Sequence, residues 1–212
     1  QPEVKLSYNN AAVTVTSSVK SGAVNGKGVD AAYFSGSETS KSVNSGAQAT
    51  VNLTVQTGTA LVASTNQVVV EYTVNGTPKS MTHAATASAT QTVAIQETVN
   101  ANTEIVVTSV KVQAKVTVAE NSLDAVTTTN LTGNATATYN GKNKAAIESE
   151  WLDVGSTVAV VVTVPGVSGN GVTITIAGQG TDVTTGTDVE VEGSYTVVAG
   201  TNTLTVRAGN KV

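Results

Sequence analysis

Apolar and polar residues alternate with a period of two over most of the chain. In VNLTV, residues 51–55, the valines and leucine fall on one side and the asparagine and threonine on the other. Because successive side chains of a strand point to opposite faces, this alternation predicts half-buried antiparallel strands. The nearest candidate for a helix is residues 144–151, which could form one or two turns. The pattern therefore predicts an all-β fold.

The composition favours the same conclusion. Only 12% of the residues are charged and 3% are aromatic, whereas ordinary globular domains carry about 25% charged residues. Threonine, valine, alanine, serine, asparagine and glycine fill the difference, and the β-branched valine and threonine suit a pleated, half-buried surface. We expect a core of aliphatic side chains rather than of rings.

The segment GAQATVNLTV, residues 46–55, recurs as GSTVAVVVTV at residues 155–164, 109 positions later. Three further similarities keep the same order, with separations of 106, 104 and 98 residues: Tyr33 with Tyr139, Val68 with Val172, and Glu97 with Tyr195. Two consecutive copies of one β unit explain this order economically, and the drift in separation reflects loops of different length. We therefore predict two domains, residues 1–112 and 113–212. A single large sheet system with accidental similarity is the alternative.

Each predicted unit has about seven short strands, which is typical of an immunoglobulin-like sandwich of two antiparallel sheets. The cysteine pair of antibody domains is missing, because the chain has no cysteine. The segments VNLTV, VVVTV and YTVVAGTNTLTV resemble the cysteine-free immunoglobulin-like domains strung along bacterial S-layer and other cell-surface proteins. That resemblance implies two tandem immunoglobulin-like β-sandwich domains.

The first residues of the chain repeat an arrangement found between the two units. Val-Lys-Val at residues 110–112 precedes Val-Thr-Val at residues 116–118, and Val-Lys-Leu at residues 4–6 similarly precedes Val-Thr-Val at residues 13–15. By analogy, we expect residues 1–9 to be the end of a preceding domain or a strand exchanged with a neighbour. The chain lacks an initiator methionine and a signal peptide, so we expect a processed chain or a segment of a longer one.

Charge excludes some classes of partner. The chain carries 11 Lys and Arg residues against 15 Asp and Glu, for a net charge of −4. Nucleic-acid binding relies on clustered cations at phosphates, so we expect no nucleic-acid partner. No apolar run approaches the roughly 20 residues of a membrane helix, so we expect no membrane insertion. The absence of cysteine also excludes a disulfide framework and a thiolate metal site.

We find no set of residues typical of a catalytic site, and we predict that the chain is not an enzyme. His83 is the only histidine and lacks a second histidine or cysteine as partner, so we interpret it as a solvated loop residue. Trp151 could stack on a sugar ring, but a lone tryptophan is more typical of a plug at the end of a core.

One acidic cluster suggests a cation site. Calcium is bound by six to eight oxygens, and GTDVTTGTDVEVEG contains four carboxylates within eleven positions: Asp182, Asp188, Glu190 and Glu192. Their spacing fits no known calcium loop. A solvated edge strand, whose charges prevent edge-to-edge pairing, is the stronger interpretation. Calcium is therefore the single cofactor we consider, and we expect none otherwise.

Two modifications are also consistent with the sequence. Four Asn-x-Thr sequons make N-glycosylation one of them: they lie at Asn52, Asn75, Asn130 and Asn134. The other is a Lys–Asn isopeptide cross-link, which requires a buried lysine, asparagine and carboxylic acid together.

These observations favour a structural segment of a bacterial extracellular assembly, such as an S-layer, stalk or fibre. In that role the chain is a spacer and lateral-contact module whose partners are neighbouring copies of itself. The alternative is an adhesin or a phage virion immunoglobulin-like domain that recognises a cell-wall or host glycan or a protein. Either function places the chain outside the cell, at the cell surface or secreted.

Overall fold

The structure is a computed structural model that describes residues 11–20, 31–33 and 40–212. It is all-β, with several sheets and one short helix, so the predicted fold class is confirmed at that level. Residues 1–9, for which we expect a strand, lie outside the described residues. No helix in the described part of the chain is long and apolar enough to cross a membrane.

The chain divides into two compact units. The first comprises Gln1–Ala60 and Gln67–Val112, and the second comprises Leu61–Asn66 and Gln113–Val212. The short segment 61–66 thus belongs to the second unit, although the residues before and after it belong to the first.

In the described part of the chain, the first unit contains a three-stranded sheet and five strands of a six-stranded sheet. The strand order is β2-β4-β7 in one and β3-β1-β8-β5-β6 in the other. The first and last strands, β1 and β8, are parallel neighbours, whereas β4 and β7 pair antiparallel. The strands are β1 Ala12–Val19, β2 Ala31–Tyr33, β3 Ser40–Asn44, β4 Ala47–Gln56, β5 Asn66–Val74, β6 Thr77–Ala84, β7 Thr90–Val99 and β8 Thr103–Ala114.

The second unit contains a three-stranded and a four-stranded sheet, in the orders β10-β12-β15 and β14-β13-β16-β9. Its first and last strands, β9 and β16, again run parallel side by side. The elements are β9 Thr117–Asn121, β10 Thr136–Tyr139, helix α1 Lys144–Ser149, β11 Leu152–Asp153, β12 Thr157–Gly166, β13 Val172–Ile176, β14 Gln179–Val183, β15 Thr187–Thr196 and β16 Thr203–Asn210.

The two units share one strand order. In the smaller sheets, β10, β12 and β15 take the places of β2, β4 and β7. In the larger sheets, β14, β13, β16 and β9 take the places of β6, β5, β8 and β1. The register agrees as well, because Leu53 faces Val93 across β4 and β7 while Val162 faces Val191 across β12 and β15. Leu53 and Val162 are 109 residues apart, and Val93 and Val191 are 98 residues apart. These are the separations found between the repeated segments. The first unit adds β3, and the second adds α1 and β11.

Alternating strands bury one face in both units, as predicted. Val51, Leu53 and Val55 are buried, and Asn52 between them is exposed. In the second unit, β12 follows the same pattern, with four valines from Val158 to Val164 fully buried. Each CH₂ removed from water contributes about 0.8 kcal/mol, so the aliphatic faces are the main source of stability.

The single helix in the described residues is short and locally determined. Asn143 caps its start, because the Asn143 side chain accepts a hydrogen bond from the Ala146 N–H at 2.9 Å. Ile147 is its buried residue. The helix Lys144–Ser149 lies within residues 144–151, for which the sequence predicts one or two helical turns.

Gly193 allows the two sheets of the second unit to approach closely. It lies in β15, where an added Cβ would sit 2.7 Å from Cγ2 and 2.9 Å from Cβ of Ile176 in β13. The Cβ atom of Ile176 is fixed by the backbone, so side-chain rotation cannot relieve that contact.

We predict that Gly193→Ala lowers the free energy of unfolding by about 1–3 kcal/mol, because it overpacks the core. The matched control is Gly209→Ala in β16, where an added Cβ meets nothing within 4 Å, and its effect should stay below about 1 kcal/mol. Urea denaturation of both variants measures the difference. Equal stability of the two variants would contradict the close approach.

Candidate functional site

The four predicted calcium ligands do not form one cluster. Asp182 lies in β14, where its carboxylate accepts a hydrogen bond from the Thr173 hydroxyl at 2.7 Å and forms an ion pair with Lys211 at 2.7 Å. The hydrogen bond from Lys211, followed by that from Thr173, holds the pKa of Asp182 below its ordinary value. Both of its oxygens already have protein partners.

The other three carboxylates lie in β15. Glu190 and Glu192 are exposed on one face, opposite Thr163 and Val161 of β12, and Asp188 has a positive φ of 51° near the start of the strand. In the described part of the chain, no three His, Asp or Glu side chains are grouped so as to hold a metal ion. Calcium binding here stays a prediction. β15 is the outermost strand of its sheet and these side chains are exposed, as the interpretation of a solvated edge strand expects.

Helix α1 protects the edge of β9, which is the outermost strand of its sheet. The Val118 N–H donates to Glu148 Oε1 at 2.7 Å, and Lys144 donates to the Val118 carbonyl oxygen. Lys144 and Glu148 also pair with each other at 2.9 Å. The hydrogen bond from Val118, more than the one from Lys144, lowers the pKa of Glu148. One ion pair on the helix therefore occupies both backbone groups of Val118, which would otherwise be open to another strand.

A tyrosine, a glutamate and a lysine form a polar cluster in the first unit. The Tyr72 hydroxyl donates to Glu97 Oε1 at 2.7 Å, and Lys79 donates to Oε2. Burial, and next the hydrogen bond to Glu97, raise the pKa of Tyr72 to about 12. Burial alone would raise the pKa of Glu97, but the hydrogen bonds from Lys79 and Tyr72 and the charge of Lys79 together lower it. The cluster joins β5, β6 and β7, and sequence analysis did not identify it.

Tyr139 makes a similar contact in the second unit. Its ring is fully buried, and its hydroxyl donates to Glu120 Oε1 at 2.7 Å. Burial is the main cause that raises the pKa of Tyr139 far above its ordinary value, and the bonded carboxylate adds to it. Tyrosines held neutral in this way are suited to structural roles.

His83 lies in β6 opposite Val68, not in a loop as the sequence suggested. Its Nε2 is buried and has no hydrogen-bond partner among the described residues. The chain has no second histidine and no cysteine, so it lacks the histidine and cysteine sets typical of zinc sites. The prediction that the chain is not an enzyme stays a prediction.

Trp151 does not plug the end of the core, so that interpretation was wrong. The residue is 36% exposed, and the Lys115 ammonium lies 5.0 Å from the centre of its ring. A cation at that distance is attracted by the negative face of the ring. Trp151 is therefore a surface aromatic residue beside β11.

The sequons lie in different settings. Asn52 is exposed in β4, whereas Asn75 and Asn134 accept hydrogen bonds through Oδ1 from the N–H groups of Glu104 and Ala125. Asn130 uses Nδ2, the atom that would carry a glycan, to donate to the Gly171 carbonyl oxygen at 2.9 Å. N-glycosylation stays a prediction.

An isopeptide cross-link needs a buried lysine, and the described part of the chain has none. Its buried polar side chains are Thr57, Asn66, Gln91, Thr103, Thr128 and Asn202.

Asparagine side chains recur as partners of the backbone. Asn66 is almost fully buried, and its Oδ1 accepts from the N–H groups of Val62 and Gly200 at 2.9 and 3.0 Å while its Nδ2 donates to the Gly200 carbonyl oxygen. Asn202 similarly accepts from the Val198 N–H and donates to the Val198 carbonyl oxygen. These contacts hold the segment 61–66 and the loop before β16 within the second unit. The many asparagines of the sequence were the available signal.

No protein-family model, curated protein or solved structure matches the chain.

We predict that Glu97→Gln lowers the free energy of unfolding at neutral pH by about 1–3 kcal/mol, because it removes charge-assisted hydrogen bonds. The folded pKa of Glu97 is below its ordinary value of 4.5, so its stabilisation is present above that pH and lost as pH falls through the folded value. The stability difference between the native chain and the variant should therefore shrink on acidification.

Chemical denaturation across the acidic range measures this trend. The exposed Glu71 in β5 provides a control through Glu71→Gln. A difference at Glu97 that stays constant with pH, or one no larger than that at Glu71, would contradict the assigned role of the cluster.

Proposed function

We propose that the chain is a structural segment of a bacterial extracellular surface assembly. It consists of two tandem immunoglobulin-like β-sandwich domains, residues 1–112 and 113–212, with residues 61–66 grouped with the second, and serves as a spacer and lateral-contact module. The observation that supports this most directly is the strand order shared by the two units, in which the first and last strands are parallel neighbours.

Parallel end strands are suited to resisting tension. In the second unit, β9 pairs with β16 from Thr117↔Thr203 to Asn121↔Arg207, and in the first unit β1 pairs with β8 from Val15↔Thr103 to Val19↔Val107. When a unit is pulled by its two ends, the first strand is drawn toward its N-terminal end and the last strand toward its C-terminal end. Because the two strands are parallel, they are drawn in opposite directions. The interstrand hydrogen bonds are then loaded together in shear, since none can break before its neighbours.

The exterior fits a role in extended assembly. With 12% charged residues and a net charge of −4, the chain presents hydroxyl and amide groups that stay hydrated without strong repulsion between copies. Lateral contact with neighbouring copies then depends on the exposed strands at the sheet edges. The outermost strand β6 of the first unit is mostly exposed, although Pro78 restricts pairing there.

The alternative function is an adhesin or phage virion domain that binds a glycan or a protein. The exposed ring of Trp151 is the observation that favours it, because aromatic faces stack on sugars. Loss of glycan binding in Trp151→Ala without loss of stability would assign the ring that role.

We predict that unfolding the second unit by tension along its parallel end strands requires a force several times larger than peeling one hairpin. Since the chain has no cysteine, attachment points can be introduced as Thr117→Cys with Val212→Cys for shear, and as Asn170→Cys with Thr184→Cys for peeling β13 from β14. All four sites are exposed. Single-molecule force spectroscopy compares the two directions, and equal forces would remove the mechanical argument.

We also predict concentration-dependent self-association, and that deletion of residues 1–9 reduces either this association or the melting temperature. Sedimentation velocity and electron microscopy measure the association, and thermal denaturation measures the melting temperature, each with and without calcium. A soluble monomer that retains a glycan or host protein favours the binding module. If deletion changes neither association nor stability, the segment has neither proposed role.

A further inference from the structure

Two Asn-Gly dipeptides occupy tight turns that follow strands of the two units. Asn75-Gly76 joins β5 to β6, with φ of 48° and 80°, and Asn140-Gly141 follows β10, with φ of 50° and 73°. An added Cβ at either glycine would meet nothing within 4 Å. The glycines are therefore needed for their positive φ and stand open to water.

Exposed Asn-Gly sequences have a known chemical weakness. The glycine nitrogen gives up its proton and attacks Cγ of the asparagine, so a new C–N bond forms. The bond from Cγ to Nδ2 breaks, and the side-chain nitrogen gains a proton and leaves as ammonia. The resulting succinimide takes up water and opens to aspartate or isoaspartate. Attack requires the side-chain amide to rotate toward the following nitrogen, and the absence of a glycine side chain leaves that approach unhindered.

Both asparagines are held by the same pair of hydrogen bonds to a neighbouring strand. The Asn75 N–H donates to the Glu104 carbonyl oxygen at 2.9 Å, and the Glu104 N–H donates back to Asn75 Oδ1 at 2.8 Å. The Asn140 N–H donates to the Ala159 carbonyl oxygen at 2.7 Å, and the Ala159 N–H donates back to Asn140 Oδ1 at 2.8 Å. We define this reciprocal pair as the asparagine bracket.

We propose that Asn75 and Asn140 are latent deamidation sites, which the asparagine bracket closes in the folded chain and which react when the turn leaves its neighbouring strand. The bracket restrains the electrophilic amide, while the glycine nitrogen stays accessible. Asn170-Gly171 differs, because there the nucleophile is restrained: Gly171 is buried, and its N–H donates to the Ser168 carbonyl oxygen at 3.0 Å. The inference does not depend on the proposed function, although slow chemical ageing suits a protein outside the cell.

Deamidation is measured by peptide mapping after long incubation of the full chain in mildly alkaline buffer, folded or unfolded in guanidinium. Two hydrogen bonds of ordinary net strength correspond to suppression on the order of tenfold or more in the folded chain. The suppression at Asn140 should equal the hydrogen-exchange protection of the Ala159 amide within a factor of about three, because both need the same opening. Deamidation in the folded chain at the unfolded rate would overturn the proposal.

A backbone substitution separates the effect of the asparagine bracket on the deamidation rate from the effect of folding in general. Incorporating lactic acid in place of Ala159 replaces its N–H by an ester oxygen, and Asn140 should then deamidate about tenfold faster while Asn75 keeps its rate as the internal reference. The matched control is the same replacement at Ala135, whose N–H donates to the Leu123 carbonyl oxygen at 2.8 Å. Equal acceleration by both esters, or none by the ester at Ala159, would refute the bracket. If the Ala159 ester does not fold, the exchange comparison in the native chain decides.

Discussion

Burial of strand faces that carry small aliphatic side chains is the constraint on which the rest of this structure depends. With few rings and no disulfide, the buried side chains of the described residues are mainly valines, with isoleucines, alanines and leucines. Such small side chains must be packed at crystal-like density, because a void loses contacts that no larger neighbour can restore. The close approach of Gly193 to Ile176 shows how one glycine lets a branched side chain reach the opposite sheet. Parallel pairing of the first and last strands then closes each unit.

Short sheets leave many backbone N–H and C=O groups at strand ends and edges without a partner strand. Here polar side chains form hydrogen bonds with a number of these groups. Lys144 and Glu148 occupy both backbone groups of Val118, and the asparagine bracket does the same for Glu104 and Ala159. A buried backbone group without a partner costs about as much as a lost hydrogen bond. The abundance of asparagine in the chain thus has a structural use beyond hydration. It also carries a chemical liability wherever glycine follows.

The tyrosine–carboxylate contacts show how the two units solve one problem with different residues. In the first unit Tyr72 of β5 bonds Glu97 of β7, whereas in the second unit Tyr139 of β10 bonds Glu120 near the end of β9. Each buries a ring with its hydroxyl satisfied, which a core of this size needs because a buried hydroxyl without a partner is costly. Neither pair is adjacent in sequence. Their separations of 25 and 19 residues fit no local motif.

The sequence by itself determined the all-β class, the alternation that buries one face of strands such as β4, the short helix and the repeated register of β4 and β12. These depend on the period of a single strand or on a residue pattern within a few positions, so they can be inferred locally. Only the tertiary structure decided that His83 lies in a strand, that Trp151 is exposed beside Lys115, and that Asp182 pairs with Lys211 apart from Glu190 and Glu192. Those outcomes depend on which strands become neighbours, and strand pairing is set by contacts between residues far apart in the chain.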